Sequence, residues 1–290
     1  MVVSGKTKVY GVIGDPIEHS LSPIIQNAAF EASKLDCTFL GFNVKPNGVE
    51  NALNGMRSLG ILGLNVTMPH KRAVMAFLDE IDQTGTLLNA VNTIQNKNGK
   101  LLGFNTDGIG ALNALRNNGV DPKGKKIVLF GAGGAARAIA FALAEKAEEL
   151  SILNRTMEPA VELANSLKQA FSNSKIIVYK FSELALKANA AAADLLINAT
   201  SVGMHPDADQ TLVEQQWLKS NSTIMDIVYN PIETKLSKNA KAAGAKVISG
   251  VEMLIGQGAA SFEIWTGHQA PIPVMKKAAL NYLQSDKLDW

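Results

Sequence analysis

The chain has a single cysteine, Cys37, among its 290 residues, which excludes an internal disulfide and a cysteine-based zinc cluster. Its four histidines, His19, His70, His205 and His268, show no metal-ligand spacing, so no metal is expected. Long apolar runs are lacking too. No stretch reaches the roughly 18 apolar residues that suggest a membrane span, and the opening "MVVSGKTKVYGVIG" has no apolar h-region of a secretory signal. A soluble, cytoplasmic protein is the expectation. Charge of one sign is also missing: 28 basic residues face 26 acidic ones, for a formal net charge of +2. Such a balance argues against a general nucleic-acid binder, which carries a strong basic footprint, and leaves room only for a local anion pocket. Apolar content is not scarce. At 47% hydrophobic and 19% charged residues the chain can build a sizeable core. Its length predicts two domains at the usual size of about 100–200 residues each.

Apolar runs of strand length alternate with helix-length segments. Strands are expected over 8–14, 37–44 and 61–66, a helix after Ser22-Pro23 and another over 47–59. The stretch 89–108 reads as a hairpin of two β-rich runs around Asn98-Gly99, followed by a helix near Asp107, whose carboxylate is placed to cap it. The composition changes at "NNGVDPKGKK" (117–126). Beyond it strands at 126–130, 149–153, 176–180, 194–198 and 223–228 alternate with helices, including one near 158–171 and an Ala-rich surface helix over 184–193. That alternation predicts parallel strands with crossover helices on both faces. Two helices, 252–266 and 273–283, form the tail. Their apolar residues ask for a partner, and the first domain is the natural one.

"KIVLFGAGGAARAIA" sets Gly131, Gly133 and Ala136 in a G-x-G-x-x-A spacing between a strand and a helix. The first glycine permits the tight turn, the second a close approach of backbone to a pyrophosphate, and the small third residue close helix–strand packing. The helix N-terminus adds free N–H groups and a positive dipole end. Isolated, such a match is weak; the strand–turn–helix context and a second strand at the right distance make it dinucleotide binding. That second strand ends in Asn154, Arg155 and Thr156, where an NAD-binding fold places an acid for the ribose 2′-OH. An amide, a guanidinium and a hydroxyl suit a 2′-phosphate, so NADP is predicted over NAD. A solvated surface arginine is the plainer alternative. Asn198, Thr200 and Ser201 follow a further strand at its carboxyl end, where ligands sit in open parallel sheets.

"NVTMPHK" (65–71) puts polar groups directly after an apolar strand, which suits a ligand cleft better than a core. Asn65 and Thr67 share one face of an extended segment. Pro69 is expected to end the strand and open a helix with Lys71 in its first turn. There the helix dipole lowers a lysine's pKa, a cost in a structural residue and a use in proton transfer. Asp107 is a candidate partner for Lys71, with a helix cap as the plain alternative. "HSLSP" offers Ser20 and Ser22, and "NAVNT" offers Asn92. Hydroxyls and amides of this kind suit a polyhydroxylated small molecule. His70 reads as structural, since the lysine already supplies a proton.

Taken together, "GDPIEHSLSP", "LNVTMPHK", "NAVNT", "GFNTDG", "GAGGAARA", "NRT", "NATSVGM", "DIVYNP" and "GVEMLIGQGAASFEIWTG" resemble the shikimate dehydrogenase family along almost the whole chain. The resemblance implies an α/β protein of two domains: an N-terminal α/β substrate domain completed by C-terminal helices (1–106 and 250–290) and a Rossmann-type NADP-binding domain (107–249), able to open and close about a cleft. It implies reversible reduction of 3-dehydroshikimate to shikimate with NADPH, in chorismate and aromatic amino acid biosynthesis. Ser20 and Ser22 then hold the substrate carboxylate, and Asn65, Thr67, Asn92, Asp107 and Gln257 contact the substrate. Lys71 is the catalytic residue, paired to Asp107, and Tyr229 lies near substrate and cofactor. Gly133, Gly134 and Ala135 fall in the diphosphate loop, Asn154, Arg155 and Thr156 match the adenosine-phosphate motif, and Gly250 and Met253 sit beside the nicotinamide. Family members occur as monomers and homodimers. Rival readings are a quinate/shikimate dehydrogenase using NAD or NADP, and a non-catalytic ligand sensor of the same fold. A sensor would be expected to lose the lysine or the glycine turn, and both are present.

Overall fold

The computed structural model describes residues 3–285. The expected ends at 1–2 and 286–290 lie outside them. The chain forms two compact units, one of residues 1–107 with 255–290, the other Gly108–Leu254.

The first unit holds a six-stranded sheet. Its elements are β1 (Lys8–Gly14), α1 (Ser22–Ala32), β2 (Cys37–Asn43), α2 (Val49–Ser58), β3 (Gly63–Val66), β4 (Glu80–Ile81), α3 (Gln83–Leu88), β5 (Thr93–Lys97) and β6 (Lys100–Phe104). The strand order is β2-β1-β3-β5-β6-β4. β1 pairs parallel with β2 and β3, while β3–β5 and β5–β6 are antiparallel. The β5–β6 turn is the expected hairpin: Asn98 and Gly99 both have positive φ, 55° and 89°, the conformation a two-residue I′ turn requires. Parallel β1 and β3 and antiparallel β5 and β6 together bring four chain positions to one edge of the sheet. These are the ends of β1, β3 and β6 and the start of β5, since Ile13 faces Val66, Asn65 faces Thr93, and Thr93 faces Phe104.

Alternation in β3 decides what each face meets. Leu64 and Val66 join Val49, Leu53, Met56 and Ile94 in a core under α2. Gly63 and Asn65 point the other way, to the tail helix α9 (Gly250–Thr266), whose residues from Ile255 onward belong to this unit, as does α10 (Ile272–Leu283). A side chain at position 63 would lie 2.5 Å from the Trp265 indole, so glycine there lets the ring seat. Trp265 Nε1 donates to Ile94 O (2.9 Å), and Tyr10, Phe30, Phe39 and Phe262 complete an aromatic layer with centroid separations of 5.1–5.9 Å. Gln26 Nε2 donates to Gly258 O and Gln95 Nε2 to Ile264 O, tying the helix backbone to the sheet and α1. From Ile255 onward the tail helices find the partner expected for them, whereas Met253 and Leu254 at the start of α9 belong to the second unit.

The second unit contains most of α4 (Asp107–Asn117), then β7 (Lys126–Phe130), α5 (Gly134–Leu143), β8 (Glu149–Asn154), α6 (Met157–Ala170), β9 (Ile176–Lys180), α7 (Glu183–Ala192), β10 (Leu195–Asn198), β11 (Thr223–Asp226), α8 (Lys235–Ala242) and β12 (Lys246–Ile248). Every pairing in its sheet is parallel, in the order β12-β11-β10-β7-β8-β9. Both faces are covered, as near-continuous apolar strands such as KIVLF require. Ile127, Leu129, Ile152 and Ile197 pack with Ile139, Leu143 and Leu163, whereas Val128, Phe130, Leu196 and Ile224 pack with Ala190, Leu236 and Ala240. The Ala-rich helix α7 is therefore only partly a surface element: Asn189 and Ala190 are buried.

Candidate active site

At the converging edge of the first sheet, Lys71 Nζ lies 2.6 Å from Asp107 Oδ2. Asp107 Oδ1 accepts from Asn92 Nδ2 at 2.8 Å. The chain of hydrogen bonds continues from Asn92 Oδ1 to Thr93 Oγ1 (3.0 Å), from Thr93 to Ser261 Oγ (2.8 Å), and from Ser261 to Asn65 Nδ2 (3.0 Å). Ser261 Oγ also donates to Gln257 O at 3.1 Å. Five expected residues, Asn65, Lys71, Asn92, Asp107 and Gln257, are thereby joined in one network. Its buried hydroxyls, Thr93, Thr106 and Ser261, were not anticipated. Ser261 carries a readable signal, standing one helical turn after Gln257 on α9.

Two expectations need correcting. Lys71 is not in the first turn of a helix. After Pro69 the chain turns through His70 and Lys71, and only a 3₁₀ segment, Ala73–Phe77, follows, with Arg72 as its cap. The reason is that Lys71 O accepts from Val91 N (2.8 Å), so it is spent across to the segment before β5 rather than along a helix. The dipole argument for Lys71 loses its basis. His70 anchors this turn: buried, its Nε2 donates to Val44 O at 2.6 Å. Second, the Asp107 carboxylate does not cap α4. Asn105 Oδ1 accepts the Asp107 N–H (3.1 Å) and Asn92 Oδ1 accepts the Thr106 N–H (2.8 Å), which leaves both carboxylate oxygens for Lys71 and Asn92.

Ser20 and Ser22 follow the carboxyl end of β1, in a turn where Ser20 Oγ accepts the Ser22 N–H (3.3 Å). Thr67 follows β3 beside them, its N–H donating to Ile13 O at 3.0 Å. Among the described residues no side-chain hydrogen bond joins these three to the network; they share the edge of the sheet with it.

In the second unit the strand ends carry the other expected residues. Gly131 follows β7 with φ +103°, and a Cβ there would lie 2.8 Å from Ala199 O, so only glycine fits the turn. Ala136 is fully buried, packing α5 on the sheet. Gly133 caps α5 without a side-chain hydrogen bond, and a Cβ at Gly133 or Gly134 would meet nothing within 4 Å. With Ala135 in the same first turn, the helix presents open backbone N–H groups to free space, which fits a diphosphate. At the end of β8, Asn154 Nδ2 donates to Thr156 O (2.9 Å), Thr156 caps α6, and Arg155 is exposed between them. Gly250 packs against the backbone after β11, where a Cβ would lie 2.5 Å from Ile227 O, and Met253 is buried in the core with Ile248. Tyr229 is half-buried, and burial pushes its phenol upward from the usual range.

Asn198 is occupied by the chain itself. Its Oδ1 accepts from Thr200 N and Thr200 Oγ1, shaping the turn before Ser201, and its Nδ2 donates to Asp226 Oδ1 at 2.9 Å. Asp226, 1% exposed, also accepts from Thr234 Oγ1 (2.6 Å) and Val228 N (3.1 Å). Sequence reasoning missed this hub, which ties the loops after neighbouring strands β10 and β11 together. Burial raises the Asp226 carboxyl above the ordinary carboxylate range, against the pull of its three donors. A carboxyl raised in the fold binds its proton more tightly there than in the unfolded chain. Stability from this group is therefore lost as pH climbs from the ordinary carboxylate range through the raised value, and is level above it. Asp226→Asn keeps an acceptor for Asn198 and Val228 and can donate to Thr234 Oγ1. It should be at least as stable as the parent at pH 7 and lack that pH slope in urea melts. Asp226→Ala strands three donors and should cost about 1–3 kcal/mol or more.

Among the described residues no group of three or more His, Cys, Asp or Glu side chains is placed to hold a metal, and no helix is long and apolar enough to cross a membrane.

A parallel sheet in this order, with a glycine turn where strand order reverses between β7 and β10, is a Rossmann-type dinucleotide unit. With a lysine–carboxylate pair at the edge of a second sheet, the class is a nucleotide-dependent α/β oxidoreductase. Three domain families match in chain order: the shikimate dehydrogenase substrate binding domain over residues 12–94, shikimate/quinate 5-dehydrogenase over 114–247, and the shikimate 5′-dehydrogenase C-terminal domain over 250–280. The chain is 47% identical to the shikimate dehydrogenase (NADP(+)) of Methanopyrus kandleri, over 97% of this chain and 98% of that one. A crystal structure of shikimate dehydrogenase in complex with NADP+ superposes with a TM-score of 0.92 at 43% identity, covering 98% of both chains. The Listeria monocytogenes shikimate 5-dehydrogenase, in complex with shikimate and NAD, gives 0.87 at 34% identity over 96% of this chain and 98% of that one. The chain belongs to the shikimate dehydrogenase family.

Proposed function

We propose that this chain catalyses the reversible, NADP-dependent reduction of 3-dehydroshikimate to shikimate in aromatic amino acid biosynthesis, with Lys71 as acid and base. The observation that carries the residue assignment is the 2.6 Å Lys71–Asp107 pair within the network that runs to Asn65. NADPH, when bound, supplies the hydride. Lys71 donates a hydrogen bond to the ketone oxygen and then its proton as charge develops there. Asp107 holds the ammonium in place, and Asn92 holds Asp107. In the oxidation direction neutral Lys71 takes the hydroxyl proton back. Such acid–base help contributes about 10²–10⁴-fold.

Ser20 and Ser22 bind the substrate carboxylate, and Asn65, Thr67, Asn92, Asp107 and Gln257 bind the ring substituents, with Tyr229 nearby. The first unit is the substrate-binding one. In the second, the open first turn of α5 at Gly133, Gly134 and Ala135 holds the diphosphate beside Gly131. Arg155, with Asn154 and Thr156, takes the 2′-phosphate, and Thr200, Ser201, Gly250 and Met253 line the remainder near Asn198. The test is the absorbance change at 340 nm with shikimate plus NADP, repeated with quinate and with NAD. Turnover with shikimate and NADP is expected to exceed the other combinations. Faster turnover of quinate, or of NAD, would reassign substrate or cofactor.

A further inference from the structure

Asn65 Oδ1 is buried without a hydrogen-bond partner, and the rest of its amide explains why. Nδ2 lies near three acceptors: Ser261 Oγ at 3.0 Å, Thr93 Oγ1 at 3.3 Å and Asn92 O at 3.3 Å. A backbone carbonyl only accepts, so the amide nitrogen must face it, and the flipped amide would set oxygen against oxygen. Oδ1 is therefore held on the other side, away from every donor in the described residues. A buried acceptor left bare is costly, and a hydroxyl donor satisfies it.

Ser261 gives the shortest of the three contacts and is itself fully buried. Its own proton goes to Gln257 O, one turn back on α9. Its lone pairs then face Asn65 Nδ2 and, at 2.8 Å, the Thr93 hydroxyl, whose one proton has both Ser261 Oγ and Asn92 Oδ1 (3.0 Å) within reach. We propose that Ser261 is a positioning residue for the substrate: from the tail helix it holds the Asn65 amide, whose sense Asn92 O sets, so that Oδ1 meets a substrate hydroxyl, and a carbonyl at that place is disfavoured. This rests on the reading of shikimate as substrate. A serine that served only as a back-bond within α9 would support the helix and leave substrate recognition alone.

The test is steady-state kinetics of Ser261→Ala, Asn65→Ala and the double variant, with the parent chain as the first arm. Ser261→Ala is expected to raise KM for shikimate about tenfold, the usual scale of one hydrogen bond. KM for NADP should be unchanged and kcat should stay within about threefold on the same scale. In the Asn65→Ala background the further effect of Ser261→Ala should vanish, because the serine acts through that amide. Independent, multiplying effects, or an unchanged KM for shikimate, would overturn the proposal. If Ser261→Ala does not fold, Ser261→Cys keeps a slightly larger side chain of the same shape with a weaker acceptor and should show a smaller rise in the same KM; no rise overturns the proposal. Absence of turnover by the parent would instead strike the substrate reading. The inference is then read from the Asn65 side-chain amide signals in ¹⁵N spectra without ligand, which Ser261→Ala should shift and expose to faster solvent exchange. Unmoved signals count against it.

Discussion

Lys71→Ala is expected to lower kcat by about 10²-fold or more while KM for shikimate changes only modestly, since the proton transfer it removes is made in the transition state. The geometry supports reading this as chemistry. Asp107 loses its 2.6 Å partner but keeps the Asn92 Nδ2 bond at 2.8 Å, so the carboxylate is not left bare. Thermal melts of the variant separate the two effects: near-parent stability with a large drop in kcat assigns the loss to catalysis. Lys71→Arg sharpens the test. A guanidinium keeps the charge beside Asp107 but does not deprotonate, so oxidation of shikimate should remain as impaired as in the alanine variant. Near-normal turnover in Lys71→Ala would remove the lysine from the role.

Arg155→Ala should raise KM for NADPH by roughly 10- to 100-fold, the value of charge-assisted hydrogen bonds to a phosphate, and leave use of NADH nearly unchanged. Arg155 is exposed between the end of β8 and the cap of α6, so its removal should disturb the fold little. Equal losses with both cofactors would count against a 2′-phosphate contact and point to a general change in the loop. Asn154 keeps the loop in shape through its bond to Thr156 O, which is why the arginine is the residue to change.

Much of the second unit is readable from the chain. Four buried residues in KIVLF, a glycine with φ +103° and a small residue at 136 each follow from local pattern. The hairpin at Asn98-Gly99 is readable for the same reason. The stretch from His70 to Leu88 was less so. Its 3₁₀ segment and the two-residue β4 depend on partners elsewhere, such as Val91 N on Lys71 O and the β6 backbone.

By itself the sequence determined the alternation of strands and helices, the glycine turn after β7, the NRT strand end and five residues that the hydrogen-bond network joins, Asn65, Lys71, Asn92, Asp107 and Gln257. It could do so because periodicity, the sign of φ and side-chain chemistry act within a few residues of chain. Only the tertiary structure decided the strand order of both sheets, the Lys71 turn, the Asp226 hub and the hydroxyl network. Those depend on which carbonyl or hydroxyl lies opposite a given donor. Asn65 and Ser261 stand 196 positions apart, and strand register and the seating of a tail helix on a sheet, not spacing in the chain, make them neighbours.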